Sequence, residues 1–431
     1  MPVPVIGLGL LGLGVVGSGV ARILLERAGT YEERIGVPLV LRRVLVREPD
    51  KQRAVELPAE LLVTDPAAIL EDDSINIVVE VMGGLDPAYD LVTRALTAGK
   101  FVVTANKEVM ACHGSELLSV ARRSGVDLLF EASVGGGIPL IAPLKRDLLA
   151  NEITAISAII NGTTNYILTR MSQDGLTLED ALGQAQELGF AEADPSYDVE
   201  GTDAAYKLSI MAGLAFRAEV PPESIYREGI LGLAPRDFRY ADELGYAIKL
   251  LATCRRDDGV IRARVHPAFI PVDDLLAKVD GVYNAVQVDG DLTGRVLFQG
   301  QGAGSLPTTS AVIADIIDCA HDIALGVAQR PEWRIDHNAT LGGMDDLQTR
   351  YYIRLTVADR PGVFAEIATQ LGINDISIAS VIQKEADESA QSAEIVIMTH
   401  RAREAALQEA IAGLRRMASV FEVGNCIRVE G

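Results

Sequence analysis

The sequence predicts an α/β chain in three parts: an N-terminal doubly wound parallel sheet, a central α+β region with a mixed sheet, and a small C-terminal unit of split βαβ order. Three observations carry this. The uncharged stretch from residue 2 to 21 holds six glycines and changes part-way from strand to helix pattern. Short apolar strands then alternate with helical segments to about residue 140, the order that builds parallel sheets. From residue 351 onward the elements run strand, helix, strand, strand, helix, strand.

Length and composition bound the function. A chain of 431 residues suggests two to three domains with ample core, and 48% hydrophobic against 23% charged residues describes a globular chain. The formal charge of −21 argues against a nucleic-acid or anionic-membrane partner, so any anion must be bound locally. The uncharged start could pass for a membrane span or a signal sequence. Its glycines, and the absence of a basic region before it, speak against both. Cys112, Cys254, Cys319 and Cys426 lie far apart without Cys-x-x-Cys spacing, which fits a reducing cytoplasm and indicates neither disulfides nor zinc. Cys112 and His113 are adjacent, but neighbours on a helix point in different directions, which disfavours a nucleophile with its base.

Two Gly-x-Gly-x-x-Gly registers overlap, at Gly7, Gly9, Gly12 and at Gly12, Gly14, Gly17. Chain geometry selects the second, because it leaves Val5 to Leu11 as a buried strand and Val15 to Leu25 as an apolar helix. Gly12, Leu13, Gly14, Val15, Val16 and Gly17 then present backbone N–H groups to a dinucleotide phosphate at a helix N-terminus. A second strand, Leu39 to Val46, ends at Arg47, where the adenosine ribose would lie. A guanidinium there favours a 2′-phosphate, hence NADP with NAD as the alternative. A third strand, Ile75 to Val81, ends in Met82-Gly83-Gly84, and Gly83 permits close approach of the cofactor. After a helix from Pro87 to Ala98 and a strand from Phe101 to Thr104, Lys107 sits just past a strand's carboxyl end, facing the ligand crevice of an open sheet. An ordinary lysine at a helix start would occupy the same position.

Val126 to Glu131 reads as a strand leading into Gly135-Gly136-Gly137. A carboxylate beside inward-pointing carbonyls forms a hard-oxygen site for a monovalent cation; a domain-crossing hinge without metal is the alternative. Glu152 to Ile160 reads as a strand, Asn161 to Tyr166 as a helix entrance, and Leu178 to Leu188 as a helix. The stretch from Glu192 to Lys207 concentrates charge ahead of an apolar helix that starts at Thr202. Asp203 and Lys207 share one face of it, so the carboxylate can hold an ammonium in place as a proton donor; alone, the pair could equally be a surface ion pair. Ile261 to Ile270 and Gly281 to Leu297 are β-rich. Gln301 to Ser310 opens a helix that returns to the first domain over about 308–329. The predicted divisions are residues 1–140, 141–330, a linker at 331–349, and 350–431.

In combination, Gly12 to Gly17, Thr104-Ala105-Asn106-Lys107-Glu108, Glu131 to Pro139, Asn161 to Tyr166 and Asp194-Pro195 with Asp198, Gly201, Asp203 and Lys207 make the chain resemble a homoserine dehydrogenase of the longer bacterial type. The element order after residue 350, with Asp359-Arg360-Pro361-Gly362 after its first strand, resembles a ferredoxin-like ACT regulatory domain. The resemblance implies a Rossmann-like first domain, a central catalytic and dimerisation domain, and reversible reduction of L-aspartate 4-semialdehyde to L-homoserine with NADPH or NADH, in threonine, isoleucine and methionine biosynthesis. It further implies Lys207 as proton donor oriented by Asp203, with Lys107 near nicotinamide and substrate. Glu192 and Asp198 would bind the substrate's ammonium group. By the same comparison Glu131, with the carbonyls of Val134, Gly136 and Ile138, would hold Na+, and Asp359 and Gly362 would mark a regulatory site for L-threonine. A homodimer or homotetramer is expected. Two rivals are another NADP-dependent dehydrogenase on this scaffold and a non-catalytic amino-acid sensor. An aspartate semialdehyde dehydrogenase is disfavoured, since that chemistry needs a thiol in a catalytic turn.

Overall fold

Ile6–Leu11 is buried along its whole length, as a central strand of a parallel sheet must be when helices cover both faces. The computed structural model describes residues 5–327, 335–387 and 391–430. The chain divides into two units. One holds residues 1–156, 206–223 and 284–339; the other holds 157–205, 224–283 and 340–431.

In the first unit the strands lie in the order Leu62–Val63, Leu39–Leu45, Ile6–Leu11, Ile77–Glu80, Phe101–Thr104, Leu128–Leu129, all parallel. The order reverses between Ile6–Leu11 and Ile77–Glu80, and at such a switch point the carboxyl ends of two neighbouring strands open a crevice. The helix Val15–Glu26 follows the glycine turn directly, which is the second of the two registers. The helix Ser305–Leu325 lies in this unit; of the range 308–329 expected for it, residues 328 and 329 lie outside the described residues. The helix packs so closely on Val15–Glu26 that a Cβ at Gly19 would come within 2.4 Å of the Thr309 hydroxyl, and Ser305 Oγ donates to the Val15 carbonyl at 3.3 Å. The strand expected over Val126 to Glu131 is only Leu128–Leu129, because the chain then tightens into a 3₁₀ turn at Glu131–Ser133.

The second unit is built on a sheet in the order Tyr246–Asp257, Val260–Pro271, Val420–Val429, Gln348–Ala358, Ser392–Thr399, Ile378–Asp387. The last four strands, with the helices Val363–Gly372 and Glu404–Leu414, form the split βαβ module around a core that includes Ile353, Leu355, Ile367, Leu407 and Leu414. Its sheet is not separate. Val420–Val429 pairs in parallel with Val260–Pro271, Ala268 opposite Arg428 and Phe269 opposite Val429. Within the stretch expected to be a linker, residues 331–334 lie outside the described residues; Thr340–Leu341 forms a short strand on Val260–Pro271. The strand Tyr246–Asp257 was not anticipated. Its Lys249 is 3% exposed and donates to the Val279 carbonyl at 2.7 Å and to Asp280 at 2.9 Å, so an ammonium sits in an otherwise apolar run.

Candidate active site

In the first unit, a tight turn delivers the strand Ile6–Leu11 into the helix Val15–Glu26. Gly12 has φ +101, a conformation that side chains resist. A Cβ on Gly17 would lie 2.2 Å from the Gly12 carbonyl oxygen, so this glycine lets the helix start against the turn, whereas a Cβ on Gly14 would meet nothing within 4 Å. The backbone at Gly14 is therefore open to a ligand while Gly12 and Gly17 are closed around it. Such a cradle at a helix N-terminus fits a pyrophosphate.

The carboxyl ends of the next two strands are fastened to one another. Glu80, fully buried, accepts from Thr104 Oγ1 at 2.6 Å and from the Met82 N–H at 2.8 Å. Burial pushes its carboxyl up, opposed by these hydrogen bonds. Asn106 caps the helix Lys107–Ser124, accepting from the N–H groups of Glu108 and Val109, and donates to the Gly84 carbonyl at 2.7 Å. Gly83 and Gly84, both at φ +74, are thus held beside the start of the helix that carries Lys107. Glu80 was not singled out from sequence, and Asn106 only as a member of the Thr104 to Glu108 motif without a role; a carboxylate ending an apolar strand and an asparagine before a helix were the available signals. Arg47 is exposed just beyond the strand Leu39–Leu45. Lys207, half-buried, lies on the helix Thr202–Phe216.

Glu131 accepts from the N–H groups of Leu140 and Ile141 through Oε1 and of Ala142 through Oε2, at 2.5, 2.8 and 2.7 Å. The intervening turn passes through Gly135 and Gly136 at φ +73 and +57, and a Cβ on Gly136 would strike the Gly302 carbonyl at 2.6 Å. A cavity of about 450 Å³ in the same unit has Glu131, Lys145, Ser209 and Asp315 among its lining residues. Lys107, Lys207 and the glycine turn do not line it. His113 stacks on Tyr89 with ring centroids 4.1 Å apart, turned to a partner other than its neighbour Cys112.

In the second unit, Asn161 brings two of the expected carboxylates together. Its Nδ2 donates to Asp198 Oδ1 at 2.6 Å and to Asp203 Oδ2 at 2.9 Å, while its Oδ1 accepts from the Thr164 N–H at the start of the helix Gly162–Asp174. One amide therefore closes a helix and uses both its donors on carboxylates. Asp203 is 2% exposed and Asn161 5%. Asp198 lies in the one-turn helix Ser196–Val199, and Asp203 lies in the first turn of the helix Thr202–Phe216, across Gly201 at φ +79. Glu192 is exposed, and its backbone carbonyl accepts from Gln186 at 3.1 Å. In the C-terminal module Asp359 and Gly362 are both exposed, and Gly362, at φ +94, starts the helix Val363–Gly372.

A doubly wound sheet with a glycine cradle, Lys107 opening one helix, Lys207 in the second turn of another and a paired-carboxylate turn are the features of a nicotinamide-dependent dehydrogenase joined to an ACT module. Family models agree: "Homoserine dehydrogenase, NAD binding domain" matches residues 12–131, "Homoserine dehydrogenase" 139–317, and "ACT domain" 351–417. The homoserine dehydrogenases of Mycobacterium tuberculosis (strain H37Rv) and Neisseria gonorrhoeae are 43% and 41% identical to the chain, each alignment covering 99% of it and 98% of the relative. A crystal structure of a homoserine dehydrogenase from Thiobacillus denitrificans matches with TM-score 0.92 and 42% identity, over 99% of this chain and 98% of that one. A hyperthermophilic archaeal homoserine dehydrogenase in complex with NADPH matches with TM-score 0.61 and 29% identity, over 73% of this chain and 97% of that one. The chain belongs to the homoserine dehydrogenase family and is an NAD(P)-dependent oxidoreductase acting on CH–OH. Among the described residues no helix is long and apolar enough to cross a membrane.

Proposed function

We propose that the chain catalyses reversible reduction of L-aspartate 4-semialdehyde to L-homoserine in the cytoplasm, a step toward threonine, isoleucine and methionine. The observation that carries this reading is the Asn161 amide holding Asp198 and Asp203 together one helical turn ahead of Lys207. Asp198, with Glu192, supplies negative charge for the substrate's ammonium group. Asp203, buried and hydrogen-bonded, orients Lys207 from position i to i+4 of one helix. Lys207 donates a proton to the carbonyl oxygen as charge develops there, and Lys107 adds positive charge near the nicotinamide and substrate. The nicotinamide, when bound, supplies the hydride. Gly12, Leu13, Gly14, Val15, Val16 and Gly17 hold its pyrophosphate, with Gly83 beside it, and Arg47 selects NADP over NAD.

Mixing the protein with NADPH and aspartate semialdehyde tests the proposal through loss of the reduced nicotinamide's absorbance. Wild-type turnover that falls by about 10²- to 10⁴-fold in Lys207→Ala supports substrate and proton donor together. Turnover surviving in the variant removes the donor; none in the wild type, with NADH and monovalent cations also tried, favours another substrate or a sensor.

Further proposals follow from the same reading. Glu131, Val134, Gly136 and Ile138 would hold Na+. The carbonyls of the glycine turn suit a hard cation, whereas the Glu131 carboxylate contributes chiefly by fixing the turn through three N–H groups. Asp359 and Gly362 would take part in L-threonine feedback through the ACT module. We assign catalysis and dimerisation to 141–330 and regulation to 350–431, with a homodimer or homotetramer as the working assembly.

A further inference from the structure

We propose that Glu228 is a positioning residue for the amino-acid substrate: clamped by Arg428 of the C-terminal module, it sets the turn that carries Asp198 and Asp203. This rests on reading that turn as the ammonium site. Arg428 is a buried guanidinium with two jobs. Through Nε and Nη2 it grips both oxygens of Glu404, at 2.9 and 2.6 Å; Tyr351 donates to the same carboxylate at 3.0 Å. Its remaining Nη1 donates to Glu228 Oε2 at 2.7 Å, and Nη2 also reaches the Tyr226 hydroxyl at 3.2 Å. Tyr226 in turn donates to Glu228 at 3.1 Å. The inner pair is bidentate and shielded, whereas Glu228 is 38% exposed, so the outer contact is the one that can be released.

From Glu228 the chain leads straight to the substrate turn. Tyr226–Arg227 pairs with Arg264 and Val265 of the strand Val260–Pro271, and the Glu228 N–H donates to the Val265 carbonyl at 2.8 Å. A Cβ on Gly229 would fall 2.2 Å from the Val199 oxygen and 2.6 Å from Glu200 Cα, so backbone rests on backbone there with no room to give. Ile230 N–H donates to the same Val199 carbonyl at 2.8 Å. Val199 is the neighbour of Asp198. Gly201, between the two carboxylates, would meet Val265 and Arg227 at 3.1 and 3.4 Å if it carried a Cβ. Asn161 thus holds the turn by its carboxylates while 226–230 holds it by its backbone.

Steady-state kinetics of the full chain test this. In Glu228→Gln, which preserves size, the KM for aspartate semialdehyde and for homoserine should rise about 3- to 10-fold. The KM for the nicotinamide cofactor and kcat should stay within about twofold, since 226–230 bears on the turn at Val199, beside Asp198, while Asn161 still holds Asp203 on its own helix. Gly229→Ala, pushing directly on Val199, should move the same constant in the same direction. An unchanged amino-acid KM in both folded variants overturns the proposal, as does a proportionate loss of kcat and both affinities together with a lowered Tm, which would mark structural support only. Absence of turnover in the wild type would instead defeat the substrate assignment beneath it.

Discussion

Asp315 is a carboxylate whose protonation is set by tertiary contacts. Asp315 Oδ2 accepts the Glu131 N–H at 2.8 Å, and burial, with the Glu131 charge adding to it, pushes the Asp315 carboxyl up to about 8. A folded-state value above the unfolded one means that folding takes up a proton between about pH 4 and 8. That contribution is fully present below the unfolded value and is lost as pH rises through the folded one, with a limiting slope of about 1.4 kcal/mol per pH unit. Asp315→Asn keeps an acceptor for the Glu131 N–H without the charge. Denaturant titrations from pH 5 to 9 should show a shallower fall in stability for the variant; equal slopes would remove Asp315 as the cause. Asn161 was legible only as a helix entrance. That its amide also bridges Asp198 and Asp203 needed positions 161, 198 and 203 to meet, and no local pattern encodes that. Asn161→Ala should raise the KM for the amino-acid substrate and cost about 1 kcal/mol of stability from the lost cap, read by kinetics and thermal unfolding.

At the scale of elements, the glycine turn was the most legible feature, because strand, turn and helix are consecutive and each has its own local signature. Its close approaches were not. Gly17 faces the Gly12 carbonyl and Gly19 faces Thr309, from a helix nearly three hundred residues later. Gly17→Ala should therefore weaken nicotinamide binding by about 10-fold or more while secondary structure survives, since the added methyl must push the turn out of its cradle shape. Cofactor titration by fluorescence checks this, and unchanged affinity would show that the turn can adapt. The strand Tyr246–Asp257 escaped sequence reading because Lys249 interrupts its apolar pattern. Its ammonium becomes tolerable only where Asp280 and the Val279 carbonyl arrive.

Across the whole chain, the C-terminal module was recognisable as a unit from its element order, but its attachment was not. Its sheet continues that of Tyr246–Asp257 and Val260–Pro271, and a buried polar cluster reinforces the junction. Arg354 donates to both oxygens of Asp237 at 2.7 and 3.3 Å and to Glu394 at 3.4 Å, with Tyr352 and Tyr240 completing the two carboxylates. Arg354→Ala leaves the buried Asp237 without its cation, while Glu394 keeps Arg236 at 2.9 Å, and should cost about 3–5 kcal/mol, seen as a large drop in Tm. A chain ended before Gln348 would bare the edge of Val260–Pro271 and strip Glu228 of Arg428. Its expected behaviour in size-exclusion chromatography is self-association through the exposed strand, so regulation by threonine is better tested in the full chain with Asp359→Ala.

Sequence by itself determined the class of each part: the doubly wound sheet, the glycine cradle, the acid-rich turn before Lys207 and the split βαβ order. These are short-range patterns, fixed by residue spacing along one strand, turn or helix. Only tertiary structure decided that one asparagine joins Asp198 to Asp203, that Glu131 turns its carboxylate to three N–H groups, and that Arg428 reaches Glu228 across two hundred residues of chain. Hydrogen bonds of that kind depend on which distant segments the packing of the core brings to the same place, and the sequence carries no local mark of it.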